Sequence, residues 1–205
     1  MLNVFTRTLS AFHWLTPVLR FFTEKMNFPA NGKKATDAVA RIVRQSGGAV
    51  DYLRVVKLIY LADRKSILKR GIPIVGGHCF SMRKGPVNGD VMDFVNQRNA
   101  PGWKKIISPR KGNALSVISN PDYDSLSESE LQMLDEVVLE HSTRTTDELV
   151  EWCHRNCEEY EQVGASERKP ISVESILQAE GKTKARIARV VNEAESLAKL
   201  DQLLA

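Results

Sequence analysis

A chain of 205 residues, 42% hydrophobic and 26% charged, has an ordinary globular balance and enough apolar mass for one sizeable core. Three cysteines, an odd number, exclude a complete disulfide framework, and no apolar run approaches the roughly 20 residues that a membrane-spanning helix needs. The expectation is a soluble protein of the reducing cytoplasm, without a membrane span. The net charge of +4 conceals an asymmetry: residues 1–120 carry a net +14, residues 121–170 a net −10, and the last 35 balance. Held apart, the two blocks would make a dipolar surface; face to face, they would neutralise one another.

Residues 1–25 set Phe5, Phe12, Trp14, Leu15, Val18, Leu19, Phe21 and Phe22 against Arg7, Arg20 and Lys25. The preferred reading is an upstream extension from a misassigned start before Met26; a docked helix and a membrane-surface anchor are the alternatives. The expected organisation is an N-terminal extension over 1–33, a domain over 34–177, and a helical tail over 178–205 packed on it.

From Lys34, Ala35, Ala38, Val39, Ile42 and Val43 recur at helical spacing until Gly47-Gly48. Asp51 is a natural N-cap for a second helix that runs to about Arg70 and stops at Gly71. Between Val55 and Ala62 that helix is apolar nearly all round, with Lys57 the one charge, so it reads as the central core helix. His78 to Arg83 reads as a short strand. Gly85-Pro86 reads as a turn with proline at helix position N1, opening a third helix lined by Val87, Val91, Phe94 and Val95. Lys104–Ser108 and Ala114–Ser119, around Arg110-Lys111-Gly112-Asn113, read as a β-hairpin that joins the 78–83 strand in one small sheet.

Two S/T-x-x-E capping boxes, Ser127 with Glu130 and Thr145 with Glu148, start two further helices. Leu131, Leu134, Val137 and Val138 line the first; Leu149, Val150, Cys153 and Cys157 line the second. Gly164–Pro170 reads as a polar linker, and Val173–Ala205 as a helical tail interrupted at Gly181. The fold class expected is mainly α with a small antiparallel β-sheet.

No signature of catalysis emerges: there is no G-x-S-x-G elbow, no H-E-x-x-H and no glycine-rich dinucleotide loop. Glu180-Gly181-Lys182-Thr183 lacks the upstream glycine and preceding strand of a phosphate loop. Cys153 and Cys157 lie one helical turn apart, but His154 sits about 100° round the helix, so buried free thiols are preferred to a metal site. His78 and Cys79, as strand neighbours, point to opposite faces. No cofactor, metal or catalytic residue is expected.

Three stretches carry a family pattern: Lys57-Leu58-Ile59-Tyr60-Leu61-Ala62-Asp63; Phe80 to Val91, containing Arg83-Lys84-Gly85-Pro86-Val87; and Asp147 to His154, ahead of Glu159-Tyr160. Together they resemble the Panacea domain family of SocA-like and GepA-like antitoxins, with Cys153 where the family often has threonine. The resemblance implies a mainly helical fold with a small sheet and a partner-binding role; with the catalytic signatures missing, no enzyme activity is expected. It implies a protein toxin, encoded next to the chain, as partner, and phage association. It also implies an AAA+ protease as second partner if the chain acts as a proteolytic adaptor, as SocA does. The candidate partner-binding residues are Tyr60, Asp63, Arg83, Lys84, Gly85, Pro86 and His154. Of these, Arg83, Lys84 and His154 sit where polar side chains are reachable; Gly85-Pro86 suit turn geometry, and Tyr60 and Asp63 suit a buried hydrogen-bonded pair joining helix to sheet. The alternative is a nucleic-acid-binding regulator, motivated by the basic block; scattered cations and the absence of a helix-turn-helix signature weigh against it.

Overall fold

The computed structural model describes residues 28–204, so the expectations for residues 1–25 lie outside the described residues. The described residues form an α+β fold, mainly helical with two small antiparallel sheets. Helix α1 (Gly32–Gln45) begins where the Asn31 side chain accepts from Lys34 N–H, and buries Ala35, Ala38, Val39, Ile42 and Val43. Helix α2 (Tyr52–Arg70) is capped by Asp51, whose carboxylate accepts from Leu53 N–H at 2.8 Å, and ends at Gly71 in the left-handed conformation. Every residue from Val55 to Asp63 is buried. A helix with no polar face has to be covered on all sides, and α2 is: it packs against α1, against α5 (Glu128–Glu140) and α6 (Thr146–Asn156), and against α7 (Val173–Ala179). Side chains such as Leu58 and Ile59 each contribute about 1.5–3 kcal/mol through this burial.

The strands correct four expectations. Gly85-Pro86 does not open a helix. Strand β3 (Gly85–Asn88) pairs antiparallel with β2 (Cys79–Met82), with Met82 opposite Gly85 and Ser81 opposite Pro86. Helix α3 (Gly89–Gln97) starts only after Asn88, whose side chain accepts from Val91 N–H. Proline fits because β3 is an edge strand, where a missing N–H costs no ladder bond on the open side. Val87 therefore belongs to the sheet and not to the third helix.

The expected 104–119 hairpin survives only in part. Burial of Trp103 anchors a single helical turn, α4 (Trp103–Ile106), in place of a strand, and Ile107 opposite Val117 is an isolated bridge. Strand β4 (Ala114–Leu115) pairs with β1 (Val50–Asp51), where the buried side chains of Val50 and Leu115 meet in register. This two-stranded sheet is separate from β2, so the single sheet envisaged is two. The third strand beside β2 is β5 (Lys169–Ile171), which takes up the end of the supposed 164–170 linker: Ile171 is buried opposite Cys79.

The acidic helix α5 lies against the basic helices α1 and α2. Lys34 and Arg70 pair with Glu130 at 2.8 and 3.3 Å, Arg41 with Asp135, and Lys65 and Lys69 with Glu136 at 2.9 and 3.5 Å. The two charge blocks of the sequence are thus apposed along this seam and neutralise one another there. The capping boxes form as expected, with Glu130 accepting from Ser127 N–H and Glu148 from Thr145 N–H. The chain ends in α7, a left-handed Gly181, and α8 (Lys184–Leu204), whose Val190 packs beside Gly71.

Candidate functional site at the β2–β3 hairpin

The interior of the hairpin is built from α2. Lys57, the one charge in its apolar stretch, is fully buried, and its Nζ donates to the Pro86 carbonyl at 3.3 Å. Burial lowers its pKa; the Cys153 and Cys157 thiols lie within electrostatic reach, and nearby Lys84 lowers it further. Directly above is Gly85, at φ +89°: a Cβ there would stand 2.8 Å from Lys57 Nζ and 3.2 Å from His154 Nε2. Arg83 and Lys84 form the exposed two-residue tip, and the left-handed Gly85 closes a turn that β-branched or bulky residues would strain.

His154, on α6, stacks flat on Tyr160, with ring centroids 4.7 Å apart and 6° between planes. Burial and the Lys57 ammonium lower its pKa, which keeps the ring neutral near pH 7, and its Nε2 is buried without a hydrogen-bond partner among the described residues. Tyr160 in turn donates from its hydroxyl to the Met82 carbonyl at 3.3 Å, so α6 and its following loop brace the hairpin. Cys153 and Cys157 both face the interior, as their helical spacing predicts.

Tyr60 and Asp63 are each buried and hydrogen-bonded, but not to one another. Tyr60 donates to Glu159, which Arg64 also holds through its Nε at 2.7 Å. Glu159 has no exposed side-chain surface, so its charge depends on these two donors. Burial, followed by the Glu159 charge, pushes the Tyr60 phenol well up. Burial alone would lower the Arg64 guanidinium, yet its bonds to Glu159 and Glu180 raise it. Asp63 accepts from Ile74 and Val75 N–H, both at 2.8 Å, and from Asn88 Nδ2 at 3.1 Å. Burial outweighs these donors and raises its carboxyl to about 7. Asn88 also donates to the Gly76 carbonyl, so one asparagine ties α2, the 74–76 loop, β3 and the start of α3.

The structure therefore gathers Arg83, Lys84, Gly85, Pro86 and His154 at one hairpin, and puts Tyr60 and Asp63 in the interior that supports it. Lys57, Asn88 and Glu159 were missed as site residues. Lys57 was visible as a lone charge in an apolar run; Asn88 and Glu159 become legible only once their partners are placed.

A family model described as antitoxin SocA-like, Panacea domain, matches residues 55–159. The chain belongs to this antitoxin family. All the residues of the hairpin constellation up to Glu159 fall within the Panacea match, whereas β5, α7 and α8 lie beyond it. No curated protein and no solved structure matches the chain. Among the described residues no helix is long and apolar enough to cross a membrane.

Proposed function

We propose that this Panacea-domain chain neutralises a protein toxin, encoded beside it, by direct contact, and that the Arg83-Lys84 tip and the adjoining His154 edge lie in that contact. The observation that carries the reading is the antitoxin family match over the residues that build and brace the hairpin. Tyr60, Asp63, Gly85 and Pro86 serve the contact indirectly by fixing where the tip stands. The exposed cations at the tip are its reachable polar groups. Blocking a toxin needs no catalysis: a standard interface of about 1,600 Å² supports nanomolar affinity. The setting is the cytoplasm, where the three free thiols stay reduced.

The test is growth of cells expressing the adjacent open reading frame with and without this chain. Rescue by the wild type, weakened in Arg83→Glu/Lys84→Glu, is expected; a neighbour that remains fully toxic beside well-expressed wild type overturns the reading. The adaptor form of the mechanism adds delivery to an AAA+ protease. It predicts that the toxin's half-life shortens in the chain's presence, whereas simple blocking leaves a stable complex.

A further inference from the structure

The seam between α5 and the helices α1 and α2 uses up much of the basic block, but not all of it. Between Asp93 and Asp122 the chain has no acidic residue and carries Arg98, Lys104, Lys105, Arg110 and Lys111. None of the ion pairs among the described residues involves any of these five. Lys104, Lys105, Arg110 and Lys111 are all exposed.

The fold ties together the segments that carry them. Arg98 donates to the Ile107 carbonyl at 3.4 Å, joining the end of α3 to the strand-like segment after α4. Arg110 bonds Asn96 of α3 at 3.3 Å and lies over the Tyr52 ring at 4.4 Å. Ser108 N–H bonds the Ser116 carbonyl, and Ile118 N–H the Ile106 carbonyl, so Lys104-Lys105 and Arg110-Lys111 stand at the two ends of one short ribbon.

We propose that this surface binds the phosphodiester backbone of duplex nucleic acid, independently of the hairpin that faces the toxin. Lysine is depleted at protein–protein interfaces, whose energy rests on buried aromatic and arginine anchors, and this surface offers one well-exposed large apolar side chain, Ile118. Its other exposed groups include Asn99, Asn113 and Ser119, which suit phosphate and sugar contacts. Binding of single strands draws on aromatic stacking platforms, whereas Tyr52 here is already covered by Arg110. A duplex backbone therefore fits better than a single strand or an acidic protein. Recognition is of charge and spacing, not of base sequence.

The experiment is fluorescence anisotropy of the full chain with a labelled mixed-sequence DNA duplex of ~20 bp, and with a single-stranded RNA of equal length. Four phosphate contacts predict a slope of log K against log salt near −3.6, about a hundredfold loss between about 50 and 200 mM salt. Reversal of all four exposed cations, Lys104→Glu/Lys105→Glu/Arg110→Glu/Lys111→Glu, should abolish duplex binding at the lower salt, while Arg83→Glu/Lys84→Glu leaves it intact. The milder Lys104→Gln/Lys105→Gln should halve the slope, which keeps the test informative if the fourfold reversal misfolds. Absence of binding at low salt, a flat salt dependence, binding of the single strand alone, or duplex binding that survives the reversal overturns the proposal. Loss of toxin neutralisation in the fourfold variant, without duplex binding by the wild type, would assign the surface to an acidic protein instead.

Discussion

Lys57 Nζ lies beneath Gly85 so closely that a side chain at position 85 would begin 2.8 Å from it. The hairpin tip is thus seated on a buried ammonium, and the contact is possible only because position 85 has no Cβ. Gly85→Ala meets both this crowding and a backbone at φ +89°. A loss of about 1–3 kcal/mol is expected, a fall in Tm of roughly 3–10 °C for a domain of this size. An unchanged melting curve would mean that the tip moves freely and is not positioned by α2.

Asp63 should make stability depend on pH in an unusual direction. Its carboxyl rises from 3.8 to about 7 on folding, so across that window the native state keeps a proton that the unfolded chain has released. Stability therefore falls as pH rises from 3.8 through about 7, by roughly 2–4 kcal/mol at most. Urea midpoints of the wild type and Asp63→Asn, each at pH 4.5 and 7.5, isolate this contribution from the other carboxylates. Parallel pH dependences in the two proteins would show that Asp63 is ionised throughout.

Glu159, held by Tyr60 and Arg64, is a buried charge with two donors on one helix. Tyr60→Phe removes a hydrogen bond to a charged group, about 1.5–3 kcal/mol. Arg64→Ala strands the carboxylate and costs more, about 3–5 kcal/mol. The double variant should fall short of or exceed the sum by at least ~0.5 kcal/mol, since both act on one acceptor. Strict additivity in urea unfolding would mean the two donors do not share Glu159.

Burial should keep the thiols quiet in the native chain, although contact with Cys157 lowers the pKa of Cys153. Contact with Cys153 and burial push the Cys157 thiol up, and burial, with the Asp63 and Asp90 charges, pushes Cys79 up. Labelling by a disulfide reagent at pH 7.5 should be at least about tenfold slower than for a free thiol until denaturant is added. One thiol that reacts at once in native protein would locate an opening beside Lys57 or β2.

The legible part of this protein is the part governed by neighbours along the chain. The period of Ala35, Ala38, Val39 and Ile42, the caps at Asp51, Ser127 and Thr145, and the stop at Gly71 act within about four residues, and each stands where the sequence puts it. The unbroken apolar run from Val55 likewise implied a helix covered on every side. The three motif stretches carried the antitoxin family with them.

Strand pairing and the partners of buried polar groups were decided by the tertiary structure. Pro86 is equally at home at helix N1 and on an edge strand, because both leave its missing N–H unneeded; the pairing with β2 selects the second. Tyr60 finds Glu159 at a separation of 99 residues, and Asp63 finds Asn88 at 25. Desolvation makes such partners obligatory without specifying which residues they are. Charge behaves the same way: composition set the excess of cations, but only the apposition of α5 with α1 and α2 determined which were neutralised and which remain exposed around α4.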